Sequence, residues 1–274
     1  MEVAKRGQVT VFIIVGILIL LVVGAVFILK PLLITGEIKA AKAQQENLLG
    51  ATVQNYIQSC LEKTGKEALI FIGQQGGYYK LPSLHNTVLL QPYYFYEDES
   101  HLLSKEELEN QLSLYIDNEL SFCIRNFVVF EEQGYDIQQE EVGTTTELGK
   151  EKVIFNVKFP VVVQKGEISK TIATFTTEVS SRLGTIYGLT EKFISKQAED
   201  PNSICLSCIT ELSIENDVRI EMVPIDDLMA FRIVDEKNLI NGQPYEFKFL
   251  NKYIFEEKGL EELEIEEFSL EELE

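Results

Sequence analysis

Residues 9–29 read VTVFIIVGILILLVVGAVFIL, an apolar run without a charged residue. At about 1.5 Å of rise per residue, a helix of this length spans roughly 30 Å, the thickness of a bilayer's hydrocarbon core. Lys5 and Arg6 stand before the run and Lys30 and Pro31 after it. Charge thus limits the run at both ends, and the proline predicts a break or bend. A cleavable secretory signal has an apolar core of about 7–15 residues, and the small-residue triplet Ala41-Lys42-Ala43 lies too far downstream to serve as its cleavage site. The run therefore predicts a retained transmembrane helix over residues 9–29, preceded by a cytoplasmic leader over residues 1–8. Lys30, Lys39 and Lys42 place nearly as much positive charge beyond the run as before it, so the choice of side rests on the cysteines.

The chain has 274 residues, of which about 240 follow the run, enough for a sizeable core. With 44 acidic and 24 basic residues the formal charge is −20, which excludes a nucleic-acid partner that would need a basic surface. Cys60, Cys123, Cys205 and Cys208 form an even set behind a predicted anchor, the pattern of disulfides on an oxidising outer face. The N-terminus is accordingly expected in the cytoplasm and the C-terminal domain outside the cell.

At the N-terminus, Lys5-Arg6-Gly7-Gln8-Val9-Thr10 joins a basic pair, a Gly-Gln step and a threonine at the mouth of the apolar helix. This resembles the class III leader of archaeal type IV pilin-like proteins. The resemblance implies cleavage between Gly7 and Gln8 on the cytoplasmic side, followed by packing of the apolar helix into a filament core. The family usually carries a glutamate at the fifth mature position, where this chain has Phe12. The other reading of the basic residues is a positive flank to a signal anchor. Three internal segments, residues 55–60 (NYIQSC), 73–78 (GQQGGY) and 203–208 (SICLSC), are similar to an uncharacterised family of single-pass membrane proteins of small-genome archaea that share the Gly-Gln leader. That likeness implies an anchored surface protein and no particular activity.

Between residues 37 and 66 apolar positions recur near a 3.6 period, predicting a stalk helix region over residues 30–66, with Pro31 and Gly36 interrupting its continuity with the anchor. Residues 67–255 are read as one extracytoplasmic α+β domain, an antiparallel sheet packed with helices. Within it, Gly76-Gly77 marks a turn and residues 87–96 read as a strand. Ser104 and Glu107 form a capping box that opens a helix with Leu108, Leu112, Ile116 and Leu120 on its buried stripe. From 135 to 182 the pattern turns β-branched, with a hairpin tip at Lys165-Gly166-Glu167. A helix follows over 184–197, a short helix carries the CxxC pair, and three further strands end the domain, the last two joined at Asn241-Gly242. Residues 256–274, with ten glutamates and one lysine, read as a solvated acidic tail.

Cys205-Leu-Ser-Cys208 has the spacing of a thiol–disulfide motif, and a helix N-terminus would lower the first thiol's pKa. A thioredoxin-like unit needs a preceding βαβ pattern, which is not present here. Cys60 and Cys123 could complete a four-cysteine zinc site, but structural zinc more often uses two close pairs, so disulfides are expected and no metal. Spacing does not separate Cys60–Cys123 with Cys205–Cys208 from the crossed pairings. Tyr93, Tyr94, Phe95 and Tyr96 form an aromatic run that is either a binding surface or an ordinary strand. His85 and His101 lie in loop-like surroundings, with no Gly-x-Ser-x-Gly elbow, phosphate loop or HExxH. No catalytic residue or cofactor is predicted.

These readings converge on a non-enzymatic, membrane-anchored cell-surface structural or interaction protein, with a pilin-like subunit as its specific form. The bilayer is one expected partner, and copies of itself or other surface proteins are the others. The alternatives are a tethered module binding a ligand through residues 93–96 and, third, a membrane-associated thiol oxidoreductase using Cys205.

Overall fold

The computed structural model describes the backbone of residues 6–201 and 203–253, and side chains over the same ranges except residues 6–10, 27 and 29–41. The helix that begins at the apolar run continues far past it: α1 covers Arg6–Gln74, 69 residues without a break. The interruption expected at Pro31 and Gly36 does not occur. A proline removes one donor and crowds one carbonyl, and the helix-forming Ala, Lys, Gln, Glu and Leu that follow are enough to carry the rest of the ladder. α1 ends where Gly76 and Gly77 adopt φ of 54° and 86°, and the Gly77 N–H donates to the Ile72 carbonyl at 2.8 Å. A Cβ on Gly76 would lie 2.6 Å from the Lys248 carbonyl oxygen, so conformation and space both require glycine there.

After α1 come β1 (His85–Asn86), β2 (Gln91–Tyr96), β3 (Glu99–Ser100), α2 (Lys105–Ile124), α3 (Val128–Glu131), β4 (Asp136–Gln139) and β5 (Gly143–Leu148). The chain continues with β6 (Lys152–Lys165), β7 (Ile168–Ser180), α4 (Leu183–Glu199), α5 (Leu206–Asn216), β8 (Arg219–Ile225), β9 (Leu228–Ile240) and β10 (Gln243–Lys252). This is the α+β class expected. Among the described residues no helix is long and apolar enough to cross a membrane. The predicted span lies partly outside the described side chains, and its longest described apolar stretch, residues 11–26, reaches only about 24 Å as a helix. The acidic tail, residues 256–274, also lies outside the described residues.

The chain divides into two compact units. The first draws on Met1–Tyr56, Phe127–Gln139 and Pro160–Ile172. In it β4 pairs antiparallel with the end of β6, from Asp136 opposite Gln164 to Gln139 opposite Val161. Tyr56, Phe130 and Tyr135 meet edge to face, with centroids 5.2 and 5.5 Å apart, and the Lys165 ammonium lies 4.2 Å above the Tyr135 ring.

The second unit comprises Ile57–Asn126, Glu140–Phe159 and Ala173–Glu274. Its larger sheet has the order β1-β2-β10-β9-β8, with β3 paired to β2. β2 and β10 run parallel, where the sequence predicts only antiparallel neighbours. The long stretch of chain between them supplies the crossover that a parallel pair requires. Asn241 and Gly242, at φ 53° and 78°, make the expected two-residue turn from β9 to β10. Phe249 stands directly opposite Phe231 in the ladder. The two rings stack at 5.0 Å, Tyr94 stacks on Phe249 at 4.7 Å, and Phe193 of α4 covers Phe231 at 5.1 Å. Beside this apolar column, Asp235, with no exposure, pairs with Arg182 at 2.8 Å, and Arg182 also donates to the Asn216 carbonyl.

Elsewhere in the second unit β5 pairs antiparallel with β6, from Gly143 opposite Lys158 to Leu148 opposite Val153. Pro160 falls between the residues of β6 paired with β5, which end at Lys158, and those paired with β4, which begin at Val161, so its missing N–H breaks no bond to either. α2 covers the free edge of β5. Glu109 accepts from the Leu148 N–H at 2.8 Å, Ser113 bonds Thr146 at 2.8 Å, and Asp117 lies beside Thr144, its carboxyl pKa raised by burial. Four residues of helix rise about 6 Å and two residues of strand about 6.6 Å, so the two periods match and the edge is closed to foreign strands. Ser104 caps α2, accepting from the Glu107 N–H at 3.1 Å, as the capping box predicts.

Truncating Phe249 to alanine removes the middle ring of the column and lowers unfolding free energy in urea by about 3–5 kcal/mol. Arg182→Ala leaves the Asp235 carboxylate buried without its cation and is expected to lower it by a similar 3–5 kcal/mol.

Candidate functional site

The four cysteines close as two disulfides, Cys60–Cys123 and Cys205–Cys208, with Cα atoms 5.6 and 5.3 Å apart. The crossed pairings and the four-cysteine zinc site are therefore not formed. Among the described residues no group of three or more His, Cys, Asp or Glu could hold a metal. Disulfides persist where the surroundings are oxidising, so the pairs point to an extracytoplasmic environment.

The two bridges differ in what they do for the fold. Cys60–Cys123 ties α1 to α2 across a sequence separation of 63, whereas Cys205–Cys208 spans 3. Loop-closure entropy assigns the long link about 4 kcal/mol and the short one about 2 kcal/mol. The short bridge sits at the start of α5, where Cys205 is the N-cap residue and its sulfur accepts the Cys208 N–H at 3.3 Å. Cys205 is half-exposed and Cys208 buried, with Leu206 between them 58% exposed.

The loop that delivers Cys205 is held from inside the protein. Gln197, fully buried at the end of α4, donates from its amide nitrogen to the carbonyls of Asp200 at 3.0 Å and Ser203 at 2.6 Å. Its amide oxygen accepts from the Tyr253 hydroxyl at 3.2 Å, and that hydroxyl accepts from Asn251 at 2.9 Å. Burial pushes the Tyr253 pKa up to about 12, so the phenol stays a neutral donor at physiological pH. The local sequence gives no sign of this network, since a glutamine at the end of a helix usually faces water.

The aromatic run divides between core and surface. Tyr94 and Phe95 are fully buried, and the Tyr94 hydroxyl donates to the Gly76 carbonyl at 2.8 Å. Tyr93 and Tyr96 are half-exposed, their rings 5.1 Å apart. Strict alternation would put Tyr93 and Phe95 on one face; a register shift against β10 at Leu250/Asn251 buries two consecutive residues instead. The Lys252 ammonium lies 5.6 Å from the Tyr96 ring centre, and the Tyr96 pKa is raised by its hydrogen bond to Glu97. Beside Tyr93 is a concavity of about 300 Å³ lined by Tyr78, Ser83, His101 and Glu107 among others. The sequence marked Tyr93 but had no means of bringing His101 and Glu107 to it.

A second concavity of about 320 Å³ lies between the end of α1 and the start of β10, lined by Ile70, Gln74, Gln243 and Tyr245 among others. The buried Tyr245 hydroxyl lacks a hydrogen-bond partner among the described residues, and burial raises its pKa strongly.

Gly7 and Gln8 fall within the α1 backbone, and their side chains are outside the described residues. Every described side chain of the apolar run, residues 11–26 and Ile28, is exposed; Phe12 is 74% and Leu20 72% exposed. No protein-family model, curated protein or solved structure matches the chain.

Replacing Cys60 and Cys123 together with serine lowers unfolding free energy by about 4 kcal/mol. The same replacement at Cys205 and Cys208 lowers it by about 2 kcal/mol or less, because serine is itself a good N-cap. Urea titration of the two double variants beside the parent checks the ranking.

Proposed function

We propose that this chain is a structural or interaction protein of the cell surface, held in a membrane by the first part of α1 and displaying its disulfide-bonded α+β region outside, with a pilin-like subunit as the specific form. The observation that carries this reading is the row of exposed apolar side chains over residues 11–26 of α1. A contiguous apolar surface of that extent is not stable in water and needs an apolar phase or apolar partners to cover it. A bilayer meets that need, and so do the same helices of neighbouring copies. Gly16 and Gly24 have no atom within 4 Å of an added Cβ, which leaves room for close helix contact there.

The C-terminal part of the same helix is packed within the second unit. Ile57, Leu61, Ala68, Leu69 and Ile72 have no exposure, and Cys60 bonds this segment to α2. The disulfides favour the outer side of the membrane for this region.

The leader Lys5-Arg6-Gly7-Gln8 supports processing after Gly7. A second reading, a tethered binding module, is favoured by the concavity beside Tyr93, where a tyrosine face, His101 and Glu107 combine stacking with hydrogen bonding.

Membranes of cells expressing the chain, washed with alkaline carbonate, are expected to retain it. Leu20→Arg, which puts a charge in the middle of the run at about 2.5–3.5 kcal/mol, moves it to the supernatant without changing its thermal midpoint. Release of the parent chain by the wash overturns the anchor. Intact mass of the retained protein is expected to lack residues 1–7; a full-length mass keeps the anchor and removes the pilin-like form.

A further inference from the structure

We propose that the Cys205–Cys208 disulfide is a thiol–disulfide exchange site that passes its oxidising equivalents to a pair of cysteines on a partner polypeptide. Three structural features support this, and none of them is needed for anchoring. The bridge closes a sequence separation of only 3, so opening it releases little chain, while Cys60–Cys123, with a separation of 63, holds the helices together. The loop before Cys205 is fixed by Gln197 through carbonyls and not through sulfur, so it stays in place when the bridge opens. Finally, the two residues differ in exposure, Cys205 half-buried and Cys208 only 7% exposed, and exposed Leu206 offers an apolar contact for an extended or unfolded segment.

These features set the order of bond changes. A thiolate of the partner attacks Cys205 Sγ, a bond forms between them, and the Cys205–Cys208 bond breaks with its electron pair going to Cys208 Sγ, which takes up a proton. The partner's second thiolate then attacks its own sulfur in the mixed disulfide, and Cys205 Sγ departs as a thiolate. That thiolate is left where the α5 N-terminus and the Cys208 N–H, already 3.3 Å from the sulfur, stabilise negative charge, before it too takes a proton. The partner loses two electrons and two protons, and the cysteine pair gains them. The exchange is stoichiometric and needs no further oxidant within a single turnover.

The test uses the full chain in detergent micelles, with dithiothreitol and then a synthetic peptide carrying two cysteines as the reductant, quenched in acid and read by alkylation and peptide mapping. Cys205–Cys208 is expected to open at least tenfold faster than oxidised glutathione under the same dithiol, with Cys60–Cys123 intact and the circular dichroism unchanged. The peptide is expected to gain one disulfide for each pair opened. In single variants, Cys205 in Cys208→Ser is expected to alkylate at least tenfold faster than Cys208 in Cys205→Ser. Opening no faster than glutathione, opening only together with Cys60–Cys123 and loss of fold, or a more reactive Cys208 each overturns the proposal.

Discussion

One helix carries two apolar surfaces, and only one of them is covered by its own chain. Near its C-terminal end α1 buries Ile57, Leu61, Leu69 and Ile72 completely, whereas the described side chains of residues 11–26 are all exposed. The free energy of burying apolar area drives both arrangements. In the first it has been satisfied by the fold. In the second it remains to be satisfied by something else.

The second unit is held by elements that lock by different physics. The Tyr94–Phe249–Phe231 column is apolar stacking across three adjacent strands, β2, β10 and β9. The Arg182–Asp235 pair joins the strand-to-helix corner after β7 to β9, and it is stable because the carboxylate keeps its cation after losing water. α2 satisfies the Leu148 N–H on the edge of β5 through Glu109 and binds the Thr146 hydroxyl through Ser113, which covers an aggregation-prone edge without needing another strand. Cys60–Cys123 then limits how far the unfolded chain can spread.

Two buried glutamine amides satisfy backbone groups without adding charge at those points. Gln111 accepts from the Tyr79 and Lys80 N–H groups where the chain leaves α1, at 2.9 and 3.0 Å. Gln197 performs the corresponding task for the carbonyls ahead of Cys205. Each amide holds an irregular segment in one conformation, because an unpaired backbone group buried there is more expensive than the entropy lost in ordering the loop. The candidate sites of this protein lie on or beside such segments, which is where rigid support matters most for a functional surface.

Much of the secondary structure was determined locally and could be read from the chain. The Ser104/Glu107 box, the Asn241-Gly242 turn and the Lys165-Gly166-Glu167 tip depend on short-range hydrogen bonding and on φ values that few residues adopt, so a few letters suffice. The apolar run and the acidic excess are likewise properties of composition. The parallel pairing of β2 with β10 and the burial of both Tyr94 and Phe95 were decided only in three dimensions. Each depends on partners distant in sequence or on a one-residue register shift. The same holds for the cysteines. Their number implied disulfides, but the choice of Cys60 with Cys123 required two helices to approach within 5.6 Å between Cα atoms, a distance that no spacing in the chain encodes.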